Sequence, residues 1–427
     1  MPYDNDPKLS SENGSDDQKD KYSFLQETIK PKPISREKLL KQFVRIAIYG
    51  MIFGTFSCLG FFALKPWAQS AFPDNPETVT IPEDDEPEDD GEGETVEEQK
   101  APVLNKENYE ELSDALYASL REAKKGVVFI SKVSGEDDRN SQATGIGVSV
   151  TGLIAADNGR ELLILASDSI CGDEKEWNVK FEDNSVYTAS LKKRDRNRGL
   201  AMFSVPRNSV SGSTWNSIRT ATLGNSNLIV QGDSVMAFGT MFGYAGGAGY
   251  GIISSTNYRE TFYDSECRVL ATDISVLSGG TGILFNLDGE VIGMITSEIW
   301  DRKAGETANA YSISDLKTLI ERMANGESLP YIGVSGTKVT EKLQKEQEMP
   351  EGVYVVNVDP DSPAMAAGIQ SGDIICMAAG EPVTSVATYQ RAVRDMTPGE
   401  DVKIKGKRSG ADGYVNVTYT VTVGTCD

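Results

Sequence analysis

The chain has 427 residues, with 42 Lys and Arg, 64 Asp and Glu and no His, for a formal charge of −22. Lacking an imidazole, it has no Ser-His-Asp or Cys-His machinery and no His-ligated metal, and its acidic balance argues against a nucleic-acid partner, which needs a basic face to neutralise phosphates. The length corresponds to two or three domains, and 39% hydrophobic residues with 41 Gly suit folded, turn-rich β domains.

Residues 1–45 are polar at first and then basic, with Lys30, Lys32, Arg36, Lys38, Lys41 and Arg45 leading into Ile46–Leu64, nineteen residues without a charge. At about 1.5 Å per residue that run matches a hydrocarbon core of about 30 Å, so a single transmembrane helix is expected over residues 46–64. A cleaved signal has a shorter apolar run closer to the N-terminus. The Lys and Arg excess marks the N-terminal side as a disordered cytoplasmic tail and places everything after Leu64 outside the cell membrane, with Trp67 at the interface. Residues 65–105 follow as an acidic extracytoplasmic linker. Between Ala71 and Lys100 there are thirteen Asp or Glu against one Lys, with Pro73, Pro76, Pro82 and Pro87 interleaved. With almost nothing apolar to bury, this stretch reads as an extended, solvated, self-repelling spacer.

Tyr109, Leu112, Leu116, Leu120 and Ala123 fall near a 3.6 period and predict a helix of about four turns. From Gly126 the pattern becomes a series of short apolar or alternating runs, from GVVFISKV through LLILAS, GLAMFSV and DSVMAFG to EVIGMIT, which argues for an all-β barrel or sandwich. A helix is expected at Ser314–Asn325, with Ser314 as N-cap, Leu316, Leu319, Ile320 and Met323 on one face, and Gly326 as its end. A smaller β-rich unit begins near Tyr331. It has its own helix near Ser385–Met396, with Tyr389, Ala392, Val393 and Met396 on the buried side. Cys58 lies inside the membrane run. Cys171, Cys267, Cys376 and Cys426 are widely spaced, with no CxxC signature, and read as small buried residues or as one or two bridges. No motif suggests a cofactor or a metal site.

The stretch ATDISVLSGGTGILFNLDGEVIGMIT at residues 271–296 resembles the nucleophile segment of HtrA-like, trypsin-like serine proteases, TD…GNSGGP…NLxGEVIGINT. Residues 223–254 are similar to that family's LGxSxxLxxGDxVxAIGxPFG…GIVS, and NAYSIS matches its approach to the last protease helix. YIGV at residues 331–334 and GVYVVNVDPDSPAMAAGIQSGDIICMAAGEPVTSV at residues 352–386 resemble a PDZ domain. The resemblance implies a mainly β chain, with a chymotrypsin-like double β-barrel at residues 106–327 and a PDZ domain at residues 328–427. By analogy it implies assembly as a homo-oligomer, a trimer.

Carried over position by position, the family's His strand falls on Ile164–Cys171 and puts Ser169 at the His position. Its Asp strand matches RGLAMFSV and puts Gly199 at the Asp position. The nucleophile falls on Thr281 when aligned forward from Thr272-Asp273, and on Gly280 when aligned backward from Gly289. A Thr hydroxyl without a neighbouring base has no useful nucleophilicity at neutral pH. Lys192 and Lys193 sit in what reads as an exposed polar turn, where a Lys keeps a pKa near ~10.4 and is a poor base. Gly279, Gly280 and Thr281 form the vestigial oxyanion loop, read as a tight turn in preference to a retained anion nest. The glycine run Gly243, Gly246, Gly247, Gly249, Gly251 lacks the context of a dinucleotide fingerprint and reads as a mobile loop. No catalytic residue is therefore expected, and the reading is a pseudoprotease. Its alternative is an active HtrA-like endopeptidase with a non-standard site.

A PDZ domain adds an extended peptide beside an open strand edge and holds its terminal carboxylate with main-chain N–H groups. The resemblance assigns that loop to Tyr331, Ile332, Gly333 and Val334, with the N–H groups of the last three as donors and with Tyr389 and Val393 shaping the pocket. The implied partners are polypeptide C-termini or unfolded polypeptides, in envelope protein quality control or in regulation of an active partner.

Overall fold

The computed structural model describes residues 41, 44–56, 77–84, 106–133, 149–296, 299 and 307–426. The chain forms two compact units, Met1–Asn75 and Pro76–Asp427. In the first, Lys41 and residues 44–56 are helical, and Ile46, Met51, Phe53 and Phe56 are exposed. Of the expected transmembrane span, residues 57–64 lie outside the described residues, and among those described no helix is long and apolar enough to cross a membrane. The expected tail at residues 1–40 and Cys58 lie outside them too.

The second unit opens with an extended strap, residues 77–84, that corrects the reading of a solvated linker over that stretch. Val79 and Ile81 pack against the main core. The N–H of Val79 donates to Asn325 Oδ1 at 2.9 Å, and that of Ile81 to Glu321 Oε2 at 3.0 Å. Asp84 then pairs with Lys317 Nζ at 2.7 Å, and Glu83 accepts from Thr318 Oγ1 at 2.7 Å and Arg394 Nη1 at 2.8 Å. Alternating Val79 and Ile81 supply a narrow apolar edge, and Lys317, only 7% exposed at its side chain, supplies a cation that needs an anion.

Helix α1 (Lys106–Ala123) leads into two closed antiparallel barrels. The first comprises β1 (Val127–Lys132), β2 (Ser149–Asp157), β3 (Glu161–Ser167), β4 (Trp177–Lys180), β5 (Val186–Asp195) and β6 (Leu200–Pro206). The second comprises β7 (Ser234–Gly239), β8 (Gly247–Phe262), β9 (Ser265–Ser275), β10 (Gly282–Phe285), β11 (Val291–Ile295) and β12 (Thr307–Ser312). The period of two decides where each side chain goes. In β3, Leu162, Ile164 and Ala166 fill the first barrel with Ile130, Trp177 and Phe203. The alternate residues Leu163 and Leu165 face outward and join Met236, Ile283, Phe285 and Met294 of the second barrel in a shared core. Both faces of β3 are thus buried, which is why it reads as an unbroken apolar run, and each buried Leu or Ile contributes about 2 kcal/mol.

Helix α2 (Ile313–Ala324) closes this core with Leu316, Leu319, Ile320 and Met323. Its N-cap is Ser312, not the expected Ser314. Ser314 lies in the first turn, where its hydroxyl accepts from Ser226 N–H at 2.9 Å and donates to Asp84. The strap, as anion at this helix start, took the side chain that a cap would use.

Residues 328–426 form the smaller β-rich unit, for which the sequence implied a PDZ domain. One sheet runs in the order β14 (Val334–Lys338), β15 (Val353–Val358), β16 (Ile374–Ala378), β18 (Asp401–Gly410), β19 (Gly413–Thr422); β17 (Glu381–Pro382) pairs with β16, and β13 (Pro330–Tyr331) with β20 (Gly424–Thr425). Helix α3 (Val386–Arg394) is fixed by a reciprocal capping box between Ser385 and Thr388 and buries Tyr389, Ala392 and Val393. Among the described strands of this sheet β14 pairs only with β15, so it is an edge. The four described cysteines, Cys171, Cys267, Cys376 and Cys426, are unpaired. Burial pushes the Cys171 thiol up to about 11 and that of Cys426 up to about 12, which leaves almost no thiolate at neutral pH.

Candidate functional site

β3 ends in a short turn, Asp168–Ile170, that leaves Ser169 exposed with its Oγ accepting from Ser167 Oγ at 2.9 Å. The adjoining Asp168 is buried, and its N–H donates to the carbonyl of Gly199 at 2.8 Å. The β3–β6 pairing ends at Ser167 opposite Leu200, so Ser169 and Gly199 lie just beyond the adjoining ends of these two strands. Gly199 has φ of 66°, a conformation that suits glycine. The turn before it is organised by Asp195, a fully buried carboxylate that accepts from Arg198 Nη1 at 2.6 Å and from the N–H groups of Asn197 and Arg198 at 3.0 and 3.2 Å.

Thr281 is 1% exposed and faces the seam between the barrels. Its Oγ1 accepts from the N–H of Thr151, on β2, at 2.7 Å and lies 2.9 Å from Thr240 Oγ1. Thr151 Oγ1 donates in return to the Thr281 carbonyl at 2.9 Å. An oxyanion hole needs neighbouring N–H groups aimed at one empty point. Here the Gly280 N–H donates to Leu277 O at 2.9 Å and the Thr281 N–H to Thr240 Oγ1 at 3.3 Å. At Gly280 a Cβ would lie 2.9 Å from Leu277 O, Met241 Cα and Met241 O, so a serine at that alternative nucleophile position has no space without moving backbone.

Two further expectations are corrected. Lys192 and Lys193 lie within β5, not in an exposed turn, and Lys192 Nζ pairs with Glu161 at 2.6 Å. The glycine run is loop only as far as Gly246, because Gly247, Gly249 and Gly251 are in β8 and pair with β7. A Cβ at Gly249 would meet Ile274 Cγ2 at 2.7 Å, and one at Gly251 would meet Asp273 Oδ1 at 2.1 Å, so close approach to the end of β9 requires these glycines.

In the PDZ unit the three donors named from the sequence converge on one carboxylate. The N–H groups of Ile332 and Gly333 donate to Asp264 Oδ2 at 2.7 Å each, and that of Val334 to Asp264 Oδ1 at 3.0 Å. Tyr389 Oη donates to Oδ1 at 2.7 Å. Gly333 is required by its φ of 93° and by Ser362 Cβ, which would stand 2.4 Å from an added Cβ. Tyr331 donates to Asp359 and not to Asp264, and Val393 is buried in the PDZ core. Burial pushes the Asp264 carboxyl upward, opposed by its four hydrogen bonds. Burial beside that carboxyl also raises the Tyr389 hydroxyl well above its ordinary value.

Asp264 was missed in the sequence. It sits with Tyr263 in the two-residue turn between β8 and β9. Asp in a tight turn is the only local signal, and nothing in YDSEC points to a partner 68–70 residues downstream.

Residues 144–294 match the family model of the trypsin-like peptidase domain, and residues 330–419 that of the PDZ domain. A probable periplasmic serine endoprotease DegP-like of Halomonas elongata is 30% identical over 278 residues, which are 64% of this chain and 56% of that protein. Its namesake in Pseudomonas fulva is 29% identical over 301 residues, 69% of this chain and 59% of that one. The chain thus spans little more than half the length of the curated relatives it matches. Among solved structures, the HtrA-type protease AlgW with decapeptide superposes with a TM-score of 0.51 at 21% identity, over 73% of this chain and 98% of that one. The serine endoprotease from Yersinia pestis gives 0.50 at 23%, over the same shares. At these identities the likeness to solved structures is one of fold, and the two domains stand in the order that the sequence resemblance implied. On these grounds the chain carries a trypsin-like peptidase domain followed by a PDZ domain, and it is similar in sequence to DegP-like endoproteases and in fold to HtrA-type proteases.

Proposed function

We propose that this chain is an extracytoplasmic HtrA-like binding protein whose PDZ domain takes up polypeptide C-termini or unfolded polypeptides, and whose peptidase domain is a scaffold without hydrolytic activity. The observation that carries the binding half is the convergence of the Ile332, Gly333 and Val334 N–H groups on a carboxylate beside an open strand edge. AlgW structures bearing a decapeptide or a tripeptide give the same reading support from a protein of this fold. The non-catalytic half rests on the absence of any His and on the hydrogen bonds that occupy the Thr281 hydroxyl. Service in envelope quality control or in regulation of an active partner, as a homo-oligomer, follows from the same family likeness.

The full chain incubated with unfolded casein is expected to leave it intact while binding C-terminal peptides. Cleavage that disappears in Thr281→Ala would instead establish the second reading, an active endopeptidase with a non-standard site, which the naming of the curated relatives as endoproteases favours.

Anchoring by one N-terminal helix at residues 46–64 is part of the proposal, supported by the uncharged run and by the exposed apolar side chains of residues 44–56. The wild-type chain is expected in the membrane fraction after an alkaline carbonate wash, and Phe53→Lys/Phe56→Lys is expected to release it. Full extraction of the wild type by carbonate would remove the anchor from the proposal.

A further inference from the structure

Asp264 belongs to the peptidase domain, yet it is bound as a peptide terminus would be. Its carboxylate takes three consecutive backbone N–H groups and a tyrosine hydroxyl. Its own N–H donates to the Val334 carbonyl at 2.7 Å. Val334 therefore gives its N–H to the carboxylate and its C=O to the backbone N–H of one residue, as an edge strand would to the last residue of an added peptide. The contact is held at a cost, since Asp264 is a non-glycine residue at φ of 59°. The tip is braced on both sides. Asn197 exchanges two hydrogen bonds with Tyr263, donating to its carbonyl at 2.7 Å and accepting from its N–H at 3.1 Å, and the Glu266 N–H donates to Gln390 Oε1 on α3 at 3.2 Å. Beside the tip lies a cavity of about 280 Å³ bordered by Tyr263, Tyr331, Gln390 and Val393.

We propose that Asp264 is an internal ligand of the PDZ domain: its side-chain carboxylate stands in for a polypeptide's C-terminal carboxylate, and an incoming C-terminus binds only by displacing the hairpin tip that carries it. The inference rests on the peptide-binding reading above and adds a gate to it. A domain contact meant to be permanent would bury apolar surface, whereas this one is built from the donors that an external carboxylate would use, so the exchange replaces like with like. The tethered carboxylate competes at the millimolar effective concentrations usual for short connections. The apparent affinity for a free terminus falls by the fraction of molecules in which the site is open.

The test compares the wild-type full chain with Asp264→Ala and Asn197→Ala, the latter loosening the tip by removing only side-chain bonds to Tyr263. The probes are decapeptides ending in Val, Leu or Phe, each as free acid and as C-terminal amide, and amide hydrogen exchange at residues 332–334 is followed without peptide. Asp264→Ala is expected to bind the free acids at least about tenfold more tightly than wild type, Asn197→Ala by a smaller factor, and the amides weakly in every case. Exchange at residues 332–334 is expected to rise about tenfold in Asp264→Ala and to slow again when a free-acid peptide is added. Equal affinity of wild type and both variants, or unchanged exchange in Asp264→Ala, overturns the gate and leaves peptide binding standing. Failure of all three proteins to bind any free-acid peptide overturns the peptide-binding reading, and with it the gate. Should Asp264→Ala fail to fold, the Asn197→Ala comparison decides alone, with equal affinity to wild type counting against the gate.

Discussion

Thr281→Val is expected to destabilise the peptidase domain by about 2 kcal/mol, a fall in melting temperature of about 6 °C, and to change no rate of peptide hydrolysis. The substitution keeps the shape of the side chain and removes only the hydroxyl. It takes the acceptor from the Thr151 N–H and a partner from Thr240, both in a seam closed to water. A nucleophile behaves in the opposite way, because its removal abolishes turnover and spares the fold. Thr281→Ser, which keeps the hydroxyl, is expected to remain close to wild type in stability and to gain no activity, because no imidazole exists in the chain to take its proton. Calorimetry of the two variants beside a casein assay checks both statements. Thr281→Val at wild-type stability, or Thr281→Ser with turnover, would contradict the seam assignment.

Asp373→Ala is expected to cost the PDZ domain about 3 kcal/mol. Asp373 is 1% exposed and accepts from Arg408 Nε at 2.6 Å, Arg408 Nη2 at 2.8 Å, Tyr419 Oη at 2.8 Å and the Gln370 N–H at 2.9 Å. Without it the guanidinium and the phenol lose their common acceptor. The Arg408 side chain is 34% exposed and keeps part of its hydration, which holds the loss at the lower end for a broken buried pair. The acid limb of stability follows with a definite sign. Burial would push the Asp373 carboxyl up, but the Arg408, Gln370 and Tyr419 bonds together hold it below the ordinary carboxylate range. A depressed folded pKa stabilises above the unfolded value of about 3.9, and the contribution is lost as the pH falls from there through the folded value. Denaturant melts are thus expected to lose this increment below about pH 4 in wild type and to lack the loss in Asp373→Ala. Parallel acid limbs in the two proteins would count against it.

The double barrel and the PDZ domain were legible because periods of two and 3.6 and the turn residues are local properties, and because the motifs of residues 223–296 and 331–386 run in a fixed order. The three N–H groups that meet Asp264 could be named beforehand because Ile332, Gly333 and Val334 are consecutive, and backbone donors need no particular side chains. What was not legible lies across long separations. Asp264 meets its donors from the other domain, and Asp84 meets Lys317 across 233 positions, so each looked like solvated charge in its own neighbourhood. Ser314 misled for a related reason. It has the composition of an N-cap, but Ser226 and Asp84 had claimed its hydroxyl. Lys192 and Lys193 read as turn residues because four further charges follow closely, while the backbone hydrogen bonds of β5 carry the strand on to Asp195.

The strap at residues 77–84 also sets a boundary for any shortened form of the chain. A polypeptide that began at α1 would keep every barrel strand and yet leave the ammonium of Lys317 buried opposite an empty place, with Arg394 on the PDZ helix released from Glu83. Severing the chain ahead of Glu77, in contrast, would carry the strap away intact with the folded body. Whether a shortened chain is sound or crippled thus depends on a difference of some thirty residues in where the cut falls, all of it within a stretch whose composition looks expendable.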